Sequence, residues 1–121
     1  YQMFANERDN KNYDIFVGGW FSDYNDPLDF LNVMKTGVYD SYGLYSNSEY
    51  DSLIDSLTGE NDNAKRLEIY QKLEDLLVAQ DCGVAPLYYS DKHYYYQNWV
   101  KDFYTSSFGA SQELYRASVQ K

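Results

Sequence analysis

Tyr50, Leu53, Ile54 and Leu57 stand at i, i+3, i+4 and i+7, the spacing of one apolar helix face rather than the alternation of a strand. Either Ser46-x-x-Glu49 or Ser48-x-x-Asp51 offers a capping box at the start, and Gly59 offers a stop. After the polar gap Glu60 to Asn63, Leu67, Tyr70, Leu73 and Leu77 form a second stripe through Ala64–Gln80. Lys65, Arg66, Glu68, Lys72 and Glu74 are expected to solvate the other side of that helix. Two antiparallel helices joined by a short acidic loop follow, and the rest of the chain must be arranged around them.

Upstream, Tyr13–Trp20 (YDIFVGGW) is short, rich in β-formers and closed by two glycines, the pattern of a buried strand whose end approaches something closely. Ser22 to Pro27 is turn chemistry in which Asp26 can cap a helix with Pro27 at its first position. Leu28, Leu31 and Met34 recur at helical spacing and Gly37 can close that helix; Gly37 to Asn47 reads as a loop. Downstream, Val84–Tyr89 and Lys92–Tyr96 are expected as strands about Ser90-Asp91, with a short closing strand in Leu114–Val119. Three main helices with flanking strands make an α/β or α+β unit.

The 121 residues fit a single domain, 1–121, with enough apolar content (44%) to fold around a core of its own. A net charge of −9 disfavours nucleic acid, which needs Lys and Arg to displace counterions from phosphates. It disfavours anionic membrane surfaces likewise. The longest apolar run, Ile15 to Phe21, is too short to cross a bilayer, so no direct membrane insertion is expected. The chain opens on Tyr1 without a signal peptide or a lipid-attachment cysteine, which suggests a segment of something longer. Cys82 is the single cysteine and is expected to be a buried small thiol at the start of a strand.

Catalytic constellations are thin. His93 is the only imidazole, and Gly109-Ala110-Ser111-Gln112-Glu113 lacks the last glycine of a nucleophile elbow. One Cys and one His do not supply a usual zinc set. Asp23-Tyr24-Asn25-Asp26 fails as a calcium loop because Pro27 interrupts it and the required glycine is absent. With 19 acidic residues, a pair at glycosidase spacing carries no information. Tyr88, Tyr89, Tyr94, Tyr95 and Tyr96 could stack on sugars or peptides, but tyrosine-rich strands also pack one face and wet the other.

Tyr13 to Met34, YDIFVGGWFSDYNDPLDFLNVM, stands above this background. A strand leading into Gly-Trp-aromatic-Ser-Asp-Tyr-Asn-Asp-Pro and a Phe-Leu helix resembles the peptide and nickel binding family of extracellular solute-binding proteins, the receptors of ABC importers. Tyr45 to Ile54, Arg66 to Glu74 and Val84 to Tyr89 continue the resemblance in the right order over nearly the whole chain.

The resemblance implies a C-terminal fragment belonging to the larger lobe of a two-lobed periplasmic-binding-protein-like fold, with a short mixed sheet and three main helices. It implies a binding protein and not an enzyme, one that captures oligopeptides outside the cytoplasm and delivers them to membrane permease subunits; from the residues themselves no cofactor and no metal site is expected. The parent would lie in a periplasm or be lipid-anchored at a cell surface. Asp23 would hold the ligand's α-amino group, while backbone groups around Gly19, Trp20 and Phe21 would pair with the peptide main chain. That division suits a receptor for many sequences, because it reads what all peptides share. A carboxylate meeting an ammonium in a closed cleft is worth about 1.5–3 kcal/mol. Nickel, dipeptide, haem or sugar ligands stay open within the family. A carbohydrate-binding domain and a self-associating interaction module are the readings outside it.

Overall fold

The computed structural model describes residues 6–7, 10–38, 44–108 and 114–120. These divide into two compact units. The first takes the chain up to Trp20 and then Asp26–Pro86; the second takes Phe21–Asn25 and the chain from Leu87 onward.

The first unit is helical. Helix α1 is one turn, Leu28–Leu31, tightening into the 3₁₀ turn Asn32–Met34. The Asp26 carboxylate accepts the Leu28 N–H at 2.9 Å, so the expected cap is in place. Helix α2 is Ser48–Ser56. Neither expected serine caps it: the Asn47 side chain takes the N–H groups of Glu49 and Tyr50 at 2.8 and 3.2 Å. Asn47 has extended backbone and an acceptor two and three residues from those donors, whereas Ser48 already lies inside the helix. Helix α3, Asn63–Glu74, is capped by Asp62 and widens into the π-helical turn Asp75–Gln80. Gly59 sits at positive φ, 81°, the left-handed geometry that closes α2. The expected stop at Gly37 comes too late: Lys35 is already extended (φ −65°, ψ 136°) after the 3₁₀ turn, and Gly37, at φ 78°, lies in the turn that follows, closed by the Val38 N–H on the Lys35 carbonyl.

The core of this unit is one cluster of Leu31, Tyr50, Ile54, Leu57, Leu73, Leu76 and Leu77, with Leu28, Leu53, Ile69 and Tyr70 packed on its edge. Leu67, expected in the stripe, is 57% exposed. Three-residue steps fall about 60° short of a full turn each, so a run 67, 70, 73 rotates away from its own face. The face that is buried passes through Arg66, Ile69, Tyr70, Leu73, Leu76 and Leu77, and Arg66 therefore lies on the packed side rather than the solvated one.

Cys82 is exposed, not buried. The π turn ends at Gln80, and Cys82 takes φ 51° so that the Gly83 N–H can reach the Leu77 carbonyl at 2.8 Å. That left-handed step turns the Cys82 side chain outward at the end of the helix.

The second unit holds the sheet: β1, Val100–Lys101, pairs antiparallel with β2, Ser118–Val119, in the register Val100↔Val119 and Lys101↔Ser118. The Gln120 N–H adds a bond to the Trp99 carbonyl at 2.9 Å. The closing strand expected in Leu114–Val119 is thus present in its last two residues. Tyr13–Trp20, Val84–Tyr89 and Lys92–Tyr96 form no strands, and among the described residues the sheet is antiparallel rather than mixed. β-Forming composition makes a segment ready to pair; the ladder itself needs a second edge. Part of the expected Gly37 to Asn47 loop and the Gly109 to Glu113 segment lie outside the described residues.

Candidate functional site

The four residues singled out by the sequence fall in both units: Gly19 and Trp20 in the first, Phe21 and Asp23 in the second. In the first unit, the two glycines of YDIFVGGW have different surroundings. A Cβ at Gly18 would lie 2.4 Å from Cε1 of Phe16, whereas a Cβ at Gly19 would meet nothing within 4 Å. Packing explains Gly18 and leaves space over Gly19.

Trp20 is half-buried, and its indole Nε1 donates to Oδ2 of Asp29 at 3.2 Å. Asp29 lies on α1, only 6% exposed. Helix α1 is held in turn by a polar cluster. Asp26 accepts from Arg66 Nη2 at 2.6 Å through one oxygen and from the Tyr70 hydroxyl at 2.6 Å through the other, and Arg66 also bonds the Tyr70 hydroxyl. Burial alone would raise the Asp26 carboxyl, but the Tyr70 hydroxyl, the Leu28 N–H and the Arg66 charge outweigh it and hold the group below its ordinary value. Burial, reinforced by the Asp26 carboxylate, pushes the Tyr70 phenol up to about 12. At the other end of α1, the Tyr50 hydroxyl donates to the Leu31 carbonyl at 2.7 Å, and burial raises that phenol as well.

In the second unit, Phe21 is exposed and carries the Lys92 ammonium 4.5 Å from its ring centroid. Asp23 is exposed in a bend closed by the Ser22 hydroxyl, which donates to the Tyr24 carbonyl. Tyr88, Tyr89, Tyr95 and Tyr96 are exposed, while Tyr94 and Tyr96 lie against Phe103 with centroids 6.2 and 5.0 Å away. Among the described residues no group of three or more His, Cys, Asp or Glu could hold a metal ion, and no helix is long and apolar enough to cross a membrane.

Arg66, Tyr70 and Asp29 were absent from the sequence-derived site. The readable signal for the first two was their i, i+4 spacing, which puts Arg66 beside Tyr70 of the apolar stripe although Arg66 was assigned to the solvated side. An aspartate within the apolar run LDFL was the corresponding signal for Asp29.

No family profile and no solved structure matches the chain. Curated proteins do. The periplasmic oligopeptide-binding protein OppA of Salmonella typhimurium is 30% identical over 100 residues, 83% of this chain and 18% of the relative. The oligopeptide-binding protein OppA of Bacillus subtilis is 30% identical over 104 residues, 84% of this chain and 18% of the relative. The chain belongs to the peptide family of solute-binding proteins. It spans less than a fifth of the length of these curated relatives. Names within the family differ in ligand: the probable deoxycholate-binding periplasmic protein YgiS of Escherichia coli is 34% identical over 70 residues, 58% of this chain and 13% of that relative.

Proposed function

We propose that this chain is the C-terminal part of the larger lobe of an ABC-importer substrate-binding protein that captures oligopeptides outside the cytoplasm, in a periplasm or lipid-anchored at the cell surface. The observation that carries the reading is the match to two oligopeptide-binding proteins over more than four-fifths of the chain. In this reading the chain binds and does not catalyse, and the complete protein hands its cargo to membrane permease subunits. Asp23 receives the peptide α-ammonium, and the backbone of Gly19, Trp20 and Phe21 pairs with the peptide main chain.

The exposure of Asp23 and the open space over Gly19 support those roles. The missing Cβ at Gly19 leaves room for a ligand to come close to the backbone on that side. Calorimetric titration of the full-length protein tests the assignment. Asp23→Ala should weaken a peptide with a free N-terminus by about tenfold or more while barely changing its N-acetylated form, as expected for a lost charge-assisted bond. Equal losses would remove the anchor. Gly19→Ala should lower affinity for both peptides without lowering the melting temperature. Sequencing the molecules released from the purified protein by denaturation separates peptides from a bile acid, a sugar or a metal complex.

A further inference from the structure

Asp29 is the single charged residue that is buried among the described residues, and its helix is one turn long. A carboxylate taken out of water needs donors in return, and a leucine would fill the same place without that demand. Asp29 is not required as the helix cap, because Asp26 already accepts the Leu28 N–H. Its Oδ2 holds the Trp20 indole N–H.

A one-turn helix has no stability of its own, so whatever Asp29 fixes is only as fixed as the anchors of α1. Those anchors come from α2 and α3: Arg66 and Tyr70 grip Asp26 at one end, and the Tyr50 hydroxyl grips the Leu31 carbonyl at the other. The indole is thereby referenced to the packed helices and not merely to the segment that carries it. Resting on the peptide-binding role proposed for Gly19 to Asp23, we propose that Asp29 is a positioning residue that sets the orientation of Trp20 before ligand arrives, and that the Asp26–Arg66–Tyr70 cluster holds Asp29 in place. A receptor that reads peptide backbone gains from a wall ordered in advance, because ordering it on binding would be subtracted from affinity.

The test uses full-length protein labelled with 5-fluorotryptophan, with the Trp20 fluorine resonance assigned by its loss in Trp20→Phe. In ligand-free protein, Asp29→Leu should shift or broaden that resonance, and Asp29→Asn, which keeps a carbonyl acceptor, should return it close to the parent position. Peptide affinity should fall about three- to tenfold in Asp29→Leu, the scale of one lost hydrogen bond, and recover in Asp29→Asn. The double variant Trp20→Phe/Asp29→Leu should bind no more weakly than Trp20→Phe alone. Losses that add, or a Trp20 resonance indifferent to Asp29→Leu, would overturn the proposal. Should Asp29→Leu fail to fold, Tyr70→Phe takes its place: a displaced Trp20 resonance supports the link through Asp26, and an unmoved one breaks it. A parent protein that binds no peptide, but whose Trp20 resonance still follows Asp29, refutes the peptide reading and upholds the positional link.

Discussion

The tyrosines of the two units are used in opposite ways. In the helical unit Tyr50 is 0% exposed, and the hydroxyls of Tyr45, Tyr50 and Tyr70 donate to Asp81, the Leu31 carbonyl and Asp26 at 2.8, 2.7 and 2.6 Å. In the other unit Tyr89 is 100% exposed, with Tyr88 and Tyr95 nearly so. Both stretches are rich in the same amphipathic side chain, so composition does not separate them. Backbone bonding does. A helix closes its hydrogen bonds within itself and can then fold its rings against a neighbour, whereas an extended segment must be given an edge before its side chains acquire faces.

The largest expected effect tests that contrast directly. Tyr50→Ala removes a fully buried ring and the donor to Leu31, and should cost about 3–5 kcal/mol, read as lost hydrogen-exchange protection across α2 and α3. Tyr89→Ala should stay within about 0.5 kcal/mol. If the two losses were similar, the exposed tyrosines would be packed in solution and the contrast between the units would collapse.

Next comes the polar cluster. Arg66→Met leaves Asp26 half-buried beside an apolar chain and should cost about 1–3 kcal/mol, because a charge-assisted bond is lost. The pH dependence has two limbs of opposite sign. The Asp26 carboxyl is depressed in the folded state, so its contribution is present above the unfolded value of 3.8 and is lost as pH falls from there through the lower folded value; Asp26→Asn should flatten that acid limb. The Tyr70 phenol is raised to about 12, so its contribution is present below the unfolded value of 10 and fades as pH climbs between the two; Tyr70→Phe should flatten that alkaline limb. Parallel acid and alkaline melts of the two variants check both.

What the sequence made legible follows the same division. The helix pair, the Asp26 cap and the stop at Gly59 depend on neighbours within a turn or two and are readable as spacing, whereas Gly37 marks a turn beyond the end of α1. Leu67 was misplaced because a three-residue step mimics a helix face until its drift is summed. Tyr13–Trp20, Val84–Tyr89 and Lys92–Tyr96 have strand composition without strand pairing, since pairing is a property of two segments and composition belongs to one. The family was legible from the Gly-Trp-to-Pro motif, whereas the Trp20–Asp29 bond and the Arg66–Asp26 pair, nine and forty residues apart, were not. Nothing local in a sequence distinguishes a solvated arginine from one aimed at a distant carboxylate.

A smaller effect sharpens the account of the helix ends. Asn47→Ala should cost about 1 kcal/mol, as for a lost N-cap, while Ser46→Ala and Ser48→Ala should fall within about 0.5 kcal/mol. Urea midpoints for the three variants decide between the observed cap and either capping box.

The smallest effect lies where the helical unit gives way to extended chain. Cys82 holds φ 51°, a conformation that costs a residue with a Cβ about 1–2 kcal/mol and glycine almost nothing. Glycine also loses more freedom on folding, by about 0.5–1 kcal/mol, so the two effects nearly offset. Cys82→Gly should therefore stabilise slightly, by about 0.5 kcal/mol, and Cys82→Val, β-branched in the same conformation, should destabilise by more than that. The exposed thiol of the parent should react stoichiometrically with a thiol reagent under native conditions. A native protein that resists labelling, together with a Cys82→Gly variant that loses stability, would mean that the chain continues past Gln80 without the left-handed turn at Cys82.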